Sequence, residues 1–458
     1  MLERLRNGPN GSLSIRFGVT AADQCLSSLS NFAVGLAAAR VAGAAGLGVY
    51  ALVYAVWLVL ASMHRSLITD PMAIENDLHQ PDAARRVRAG LAAELWLGLV
   101  AAVGFAVAGV VMLAVGQHQF GLGFLCLSPW LPCLLAQDYW RWVGFMSAKP
   151  KKSLVNDIVF DAIQATVFVL LLVAGVHTSM VAVWAWGVGA AGGALFGLFQ
   201  FRVRPSLRGG VELLVRRWRL SRWLVAGNLT STATNQSTAV LTGAFLGPTG
   251  IGGLKAATSL MAGPALVLVQ ATGSIGLPEA SRALHERGWP GLRRVERLVT
   301  AVGVVGVALI ATVIFCFGHW ILVNVYGPSF GQYAGAANVL ALAGIVTSTS
   351  LGAILCLKAT RKGHLILPAT TAAVGVSIVT AVLLIPPYGV MGAAVATLIP
   401  SSFRTAGLLV SHWAWSRKSA ERMYRELQEE SASLPARGAV APQPLSPAEP
   451  ASAGSLER

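Results

Sequence analysis

This sequence predicts an all-α integral membrane protein, with about twelve transmembrane helices in two parallel-repeat six-helix lobes. Three observations carry that expectation: apolar runs of bilayer length recur along the chain, positive charge alternates between successive connections, and a glycine signature returns at a fixed offset. Of 458 residues, 55% are hydrophobic and only 12% charged, against about 25% charged in an ordinary soluble domain. So little polar surface cannot clothe a water-soluble fold of this length. Soluble enzymes are excluded on that ground, and so is disorder for most of the chain.

A bilayer crossing needs about 20 mainly apolar residues. Runs of that kind fall at 17–39, 47–69, 89–115, 121–146, 154–175, 180–201, 223–246, 254–277, 298–323, 336–357, 365–385 and 390–412. Short joints such as Gly116–Phe120 and Pro386–Gly389 make antiparallel hairpins. The first run, Phe17–Ala39, contains Asp23 and precedes eleven further spans, so it reads as an uncleaved helix and not a secretory signal.

Charge placement orients these spans. With the N-terminus in the cytoplasm, 30 of the 35 Lys and Arg residues fall on the cytoplasmic side, as the positive-inside rule requires. The net charge of +15 therefore serves topology and implies no nucleic acid. The predicted layout is a cytoplasmic N-terminal segment 1–16, a lobe 17–201, a basic cytoplasmic linker 202–222, a second lobe 223–412 and a cytoplasmic tail 413–458. The Pro/Ala/Ser-rich end of that tail reads as disordered. The protein is expected in the cytoplasmic (inner) membrane, multi-pass, with both termini inside. The linker stretch GGVELLVRRWRLSRWL is amphipathic enough to lie on the inner leaflet, where each basic residue gains about 1 kcal/mol from anionic lipid; topology alone explains its charge equally well.

An offset of 204 residues aligns Ser27 with Ser231, Asn31 with Asn235, Gly43 with Gly247, Gly46 with Gly250 and Gly48 with Gly252. The turn in GAAGLG thus returns as GPTGIG, each time between the first two helices of a six-helix set. Six is even, so the halves face the same way. Transporters commonly place the substrate path between such halves.

A charged side chain near a helix centre costs about 2.5–3.5 kcal/mol on insertion scales and needs a partner or a wet cavity. The candidates are Asp23, Arg65, Glu94, Asp138, Arg141, Asp157 and Asp161 in the first half, and Arg404 in the second. Asp138 and Arg141 share a helix face, as do Asp157 and Asp161. Asp157, Glu94 and Arg404, nearest helix ends, read as parts of a structural ion network or as snorkelling groups. Asp23, Asp138, Arg141 and Asp161 are candidates for ion coupling or for that same network. Asp23 and Arg65 read as cavity-lining, a carboxylate for a proton or sodium ion and a guanidinium for an anionic headgroup. The seventh span crowds Asn228, Thr230, Ser231, Thr232, Thr234, Asn235, Gln236, Ser237 and Thr238 into eleven residues. Unsatisfied amides and hydroxyls are costly in hydrocarbon, so at least one face is expected to be wet. Hydroxyls and amides suit a sugar-bearing ligand, and Lys255 would add positive charge at the outer mouth.

No GxxxxGK[ST] loop, HExxH motif or His/Cys ligand cluster is present, and no cofactor or metal is implied. The eight histidines are scattered, mostly at loops and helix ends, where solvation is the default. Cys25, Cys126, Cys133, Cys316 and Cys356 lie in apolar runs and read as packing residues. The outer connections are short, which counts against a membrane glycosyltransferase or polymerase.

In the C-terminal half, NVYGPSFGQYAGAANVLALAGI (Asn324–Ile345) resembles the Gly-x-x-Phe turn and following helix of polysaccharide and lipid-linked oligosaccharide flippases. LLIPPYGVMGAAVATLI (Leu383–Ile399) resembles that family's turn and final core helix, and ADQCLSSLSNFAVGLAAARVAGAAGLGVYAL and RSLITDPMAIE look like its first two helices. The family lies in the multidrug/oligosaccharidyl-lipid/polysaccharide exporter superfamily, and the resemblance covers about residues 15–412. It implies two lobes forming a V, alternating access, and a cavity lined mainly by helices 1, 2, 7 and 8. That maps onto Asp23, Asn31, Arg65, Asn235, Gln236 and Lys255. The implied activity is non-enzymatic: translocation of a polyprenyl-pyrophosphate-linked oligosaccharide for surface polysaccharide biosynthesis, with membrane lipids and other assembly proteins as partners. The rivals are an ion-coupled small-molecule exporter of the multidrug branch, a membrane glycosyltransferase or polymerase, and a non-transporting scaffold.

Overall fold

The computed structural model describes residues 9–433, apart from Asn76, Ala148, Ser179, 272–275 and Arg361. Most side chains of 9–25, 230–235, 262–271 and 417–433 also lie outside the description, and so do the N-terminal residues before 9 and the tail beyond 433.

Pro9–His64 is a single helical stretch interrupted at Ala42 and Gly43, where Gly43 takes φ 64° and ψ −160°. The interruption reverses the chain. Tyr50 Oη donates to Asn31 Oδ1 at 3.4 Å, whereas an unbroken helix would hold these residues about 28 Å apart. We designate the two rods α1 (9–42) and α2 (43–64); a π-turn, Arg65–Thr69, and the short helix Asp70–Ile74 prolong α2. Then come α3 (Ala83–Ala114), α4 (His118–Met146), α5 (Pro150–Val173) and α6 (Val181–Phe201).

The second half repeats the design. Gly210–Ala271 breaks at Gly247 with φ 68° and ψ −166°, giving α7 (210–246) and α8 (248–271). Gly43 and Gly247, 204 residues apart, thus share one backbone conformation that glycine adopts without strain. A short helix, 277–287, turns at Gly288 into α9 (289–321); α10 (334–359) follows. Leu367–Ser433 breaks at Gly389, after Pro386 and Pro387, into α11 (367–388) and α12 (390–433).

Eight helical stretches among the described residues are long and apolar enough to cross a membrane. Two of them, Leu26–Ile74 and Gly363–Ser416, are hairpins of two rods, and with α7 and α8 the rods number twelve. Peripheral helices bare an apolar stripe: Val100, Val103 and Val107 on α3, and Val302, Val305 and Leu309 on α9, are all more than half exposed. That pattern suits contact with acyl chains.

The two halves meet through bare backbone. A side chain at Gly48 would collide with the Pro248 carbonyl, and one at Gly252 with the Ala44 carbonyl. Adding 204 to 44 and 48 gives 248 and 252, so the crossing is internally two-fold symmetric. We call the end carrying this crossing distal, and the end carrying the chain's first and last described residues proximal. Other distal contacts join the halves as well. The Arg40 guanidinium donates to the Val325 carbonyl at 2.6 Å and to the Asn324 carbonyl, and Phe32 meets Tyr326 edge-on.

The basic stretch 202–222 divides. Residues from Gly210 onward are the first turns of α7, and Arg217 is buried against Asp77 and Glu75 of the α2–α3 connection. The charged segment Ser419–Glu430 continues α12 without a break.

Candidate functional site

The interior charges of the first half pair in two neighbouring clusters, one around Asp138 and one around Arg141. The π-turn opening at Arg65, a feature frequent at functional sites, follows directly on His64, and both side chains reach the same carboxylate. Arg65 Nε and Nη2 donate to Asp138 Oδ2 and Oδ1, each at 3.0 Å. His64 Nε2 lies 2.8 Å from Asp138 Oδ2 while its Nδ1 lies 3.1 Å from Glu94 Oε1. Arg65 also covers the Trp142 ring at 5.2 Å. One turn along α4 from Asp138, Arg141 Nη2 donates to Asp23 Oδ2 at 2.7 Å, and its Nε lies 3.1 Å from Asp157 Oδ2. Gln137 Nε2 donates to Asp157 Oδ1 at 2.9 Å, and the Ser30 hydroxyl to Asp161 Oδ1 at 2.6 Å.

A small cleft opens among these groups, lined by Ser27, Ser30 and Asn31 of α1, Gln137 and Arg141 of α4, and Asp157, Phe160 and Asp161 of α5. Asp23 is fully buried on Arg141, one of the lining residues. Asp23 Oδ1 and Asp161 Oδ2 are buried and accept no hydrogen bond from the protein. Two surplus acceptors beside a polar cleft give a place where a cation can gain charge and ligands together.

A second cleft lies in the other half among α7, α11 and α12. Thr238, Ala373, Ser377, Thr397, Pro400, Ser401 and Arg404 line it. Thr238 and Ser377 are buried, and the Ser377 hydroxyl shares hydrogen bonds with Ser237 and Thr238 at 3.1 and 3.4 Å.

Of the residues singled out in the sequence, Asn31, Arg141, Asp157 and Asp161 line the first cleft, Asp157 being buried on Arg141 and not snorkelling at a helix end, while Asp23 pairs with Arg141 and Asp138 with His64 and Arg65. About a third of the Arg65 side chain is exposed. Lys255 sits at the seam between the halves, its ammonium 5.3 Å from the Tyr54 ring centroid. Gln236 is half-buried on α7; the side chain of Asn235 lies outside the described residues, with those of Thr230, Ser231 and Thr234. Asn228, at the head of the amide-rich run, donates to Ser66 Oγ at 2.8 Å and to Asp70 Oδ2 at 3.1 Å, so that helix meets the turn that follows Arg65.

Two groups escaped the sequence reading. His64 is not solvated: it is fully buried, bridging Glu94 and Asp138. A lone histidine in an apolar run carries no spacing signal, and only its neighbour Arg65 marked the place. The fold also brings together a group that has no local motif in the sequence. Glu296, Cys356 and His412, from α9, α10 and α12, bring their ligand atoms within 4.8 Å of one another. Residues so far apart in sequence leave no local motif.

No family model matches the sequence, and no characterised protein matches it by sequence. Solved structures do match in fold. A structure described as the inward-facing conformation of a multidrug resistance MATE family transporter of the MOP superfamily is 12% identical with TM-score 0.70, over 87% of this chain and 95% of that one. The outward-facing conformation of such a transporter gives 0.56 at 13% identity, over 92% and 98%. The lipid II flippase MurJ in an inward closed conformation gives 0.65 at 9% identity, over 90% of each chain. The chain therefore has the MOP-superfamily transporter fold.

Proposed function

We propose that this chain is an alternating-access flippase of the cytoplasmic membrane. It moves a polyprenyl-pyrophosphate-linked oligosaccharide outward for surface polysaccharide assembly. In this reading the proximal end is cytoplasmic, both termini lie there, and the lobes are 17–201 and 223–412. The observation that carries it is polar lining inside both lobes of an exporter fold: hydroxyls and amides at Ser27, Ser30, Asn31 and Gln137 on one side, and at Thr238, Ser377, Thr397 and Ser401 on the other. Such groups exchange hydrogen bonds with water and sugar at similar energy, so a glycan can enter and leave. The prenyl tail stays in the bilayer, and rocking about the glycine crossing exposes the headgroup alternately. Asn235, Gln236 and Lys255 belong to the proposed path, with Asp23, Asn31 and Arg65 opposite.

The test is reconstitution with a fluorescent lipid-linked oligosaccharide and an impermeant quencher. The protein should speed label crossing at least about tenfold, about 1.4 kcal/mol off the barrier; a rate equal to that of protein-free vesicles overturns the reading.

A second reading, an ion-coupled exporter of small molecules, is favoured by the surplus carboxylate oxygens at Asp23 and Asp161. Gradient-driven efflux of a cationic dye, abolished in Asp161→Asn, with no glycan flipping, would select it.

A further inference from the structure

The interior arginines differ in one respect. Arg65 holds Asp138, Arg141 holds Asp23 and Asp157, and Arg217 holds Asp77 and Glu75. Arg404 holds no carboxylate among the described residues, and its buried Nε donates to nothing. It projects from α12 into the second cleft, where its company is hydroxylic: Thr238 from α7, Ser377 from α11, Thr397 and Ser401 from its own helix. Pro400 adds to the polarity, because its missing N–H leaves the Ala396 carbonyl without a helical donor. A half-buried guanidinium without a counter-charge persists in a membrane helix only where water or an anion meets it. A planar fork of donors surrounded by hydroxyls is the arrangement that binds a tetrahedral oxyanion.

We propose that this cleft is a phosphoryl-binding site. The Arg404 guanidinium grips two oxygens of a phosphate or diphosphate, and the Ser401, Ser377 and Thr238 hydroxyls donate to the others. The proposal rests on the flippase reading, in which it names the lobe that takes the diphosphate. A prenyl-linked headgroup and free inorganic phosphate share this chemistry.

The test uses the full chain in nanodiscs of neutral lipid, titrated with polyprenyl phosphate, the matching polyprenol, and inorganic phosphate. Wild type should prefer polyprenyl phosphate to polyprenol about tenfold or more. Arg404→Gln should bring that preference close to one, Arg404→Lys should keep part of it, and Ser401→Ala should lose a few fold. Losing a half-buried charge that holds no acid does not threaten folding, and gel filtration checks it. Competition by inorganic phosphate identifies the free anion as a ligand of the site; its absence assigns the site to the lipid headgroup. A wild type without the preference, or an Arg404→Gln protein that keeps it, overturns the proposal. Normal glycan flipping in wild type without phosphate preference removes the site and leaves the flippase. Arg404-dependent preference in a protein that does not flip does the reverse.

Discussion

The two lobes share a backbone device and differ in charge. Gly43 and Gly247 take the same turn, and Gly48 and Gly252 make the same close approach from opposite sides. Yet the first lobe encloses clusters of acids around His64, Arg65 and Arg141, whereas the second holds Arg404 among hydroxyls. Backbone geometry that closes the lobes on each other is kept in both halves because a side chain there would collide with a carbonyl. Interior polar chemistry carries no such constraint. Around the two clefts it differs: carboxylates outnumber cations in the first half, whereas Arg404 stands among hydroxyls in the second, apart from the Glu296–His412 pair.

Replacing equivalent charges sharpens that contrast. Arg141→Gln leaves Asp23 and Asp157 buried without their counter-charge, and should cost about 3–5 kcal/mol of stability, the usual loss when one partner of a buried pair is removed. Thermal unfolding in detergent, followed by tryptophan fluorescence, checks it. Ser30→Ala removes the hydroxyl that donates to Asp161 at 2.6 Å; by the worth of a bond to a charged group the loss is about 1.5–3 kcal/mol. Gly48→Val should spare each lobe but oppose the distal closure, because its Cβ meets the Pro248 carbonyl. Overpacking of about 1–3 kcal/mol shifts the conformational equilibrium about 5–150-fold toward the distally open form, which accessibility of Lys255 to an impermeant amine reagent reads out. Arg404→Gln should change stability by less than about 1 kcal/mol, or raise it, because no acid is stranded. If it destabilised as much as Arg141→Gln, the two arginines would be equivalent and the contrast between lobes would fail.

The sequence made the rods legible because each of the twelve needs its own apolar length and its own turn, and glycines such as Gly43, Gly247 and Gly389 mark where the chain reverses. It also exposed the charged residues, since each violates the composition around it. Partners were not legible. Asp23 meets Arg141 across 118 residues, and Ser30 meets Asp161 across 131; helix packing alone decides such pairs. His64 was missed because one histidine has no periodicity to betray it. Arg404 looked like a helix-end residue because depth was read from position along a span, while its burial depends on what α7 and α11 place beside it. The start of α7 at Gly210 was hidden by the charge of a stretch whose Arg217 is neutralised by a distant loop.

Alternating exposure of two differently charged interiors is the claim on which the rest depends. It is tested most directly by the distance between spin labels at Gln117 and Gln332, exposed on the distal side of either half. Without substrate the distribution should centre on the closed crossing, and a lipid-linked oligosaccharide should populate a second, longer distance. A single distribution, unchanged by glycan, by polyprenyl phosphate and by either ion gradient, would contradict it.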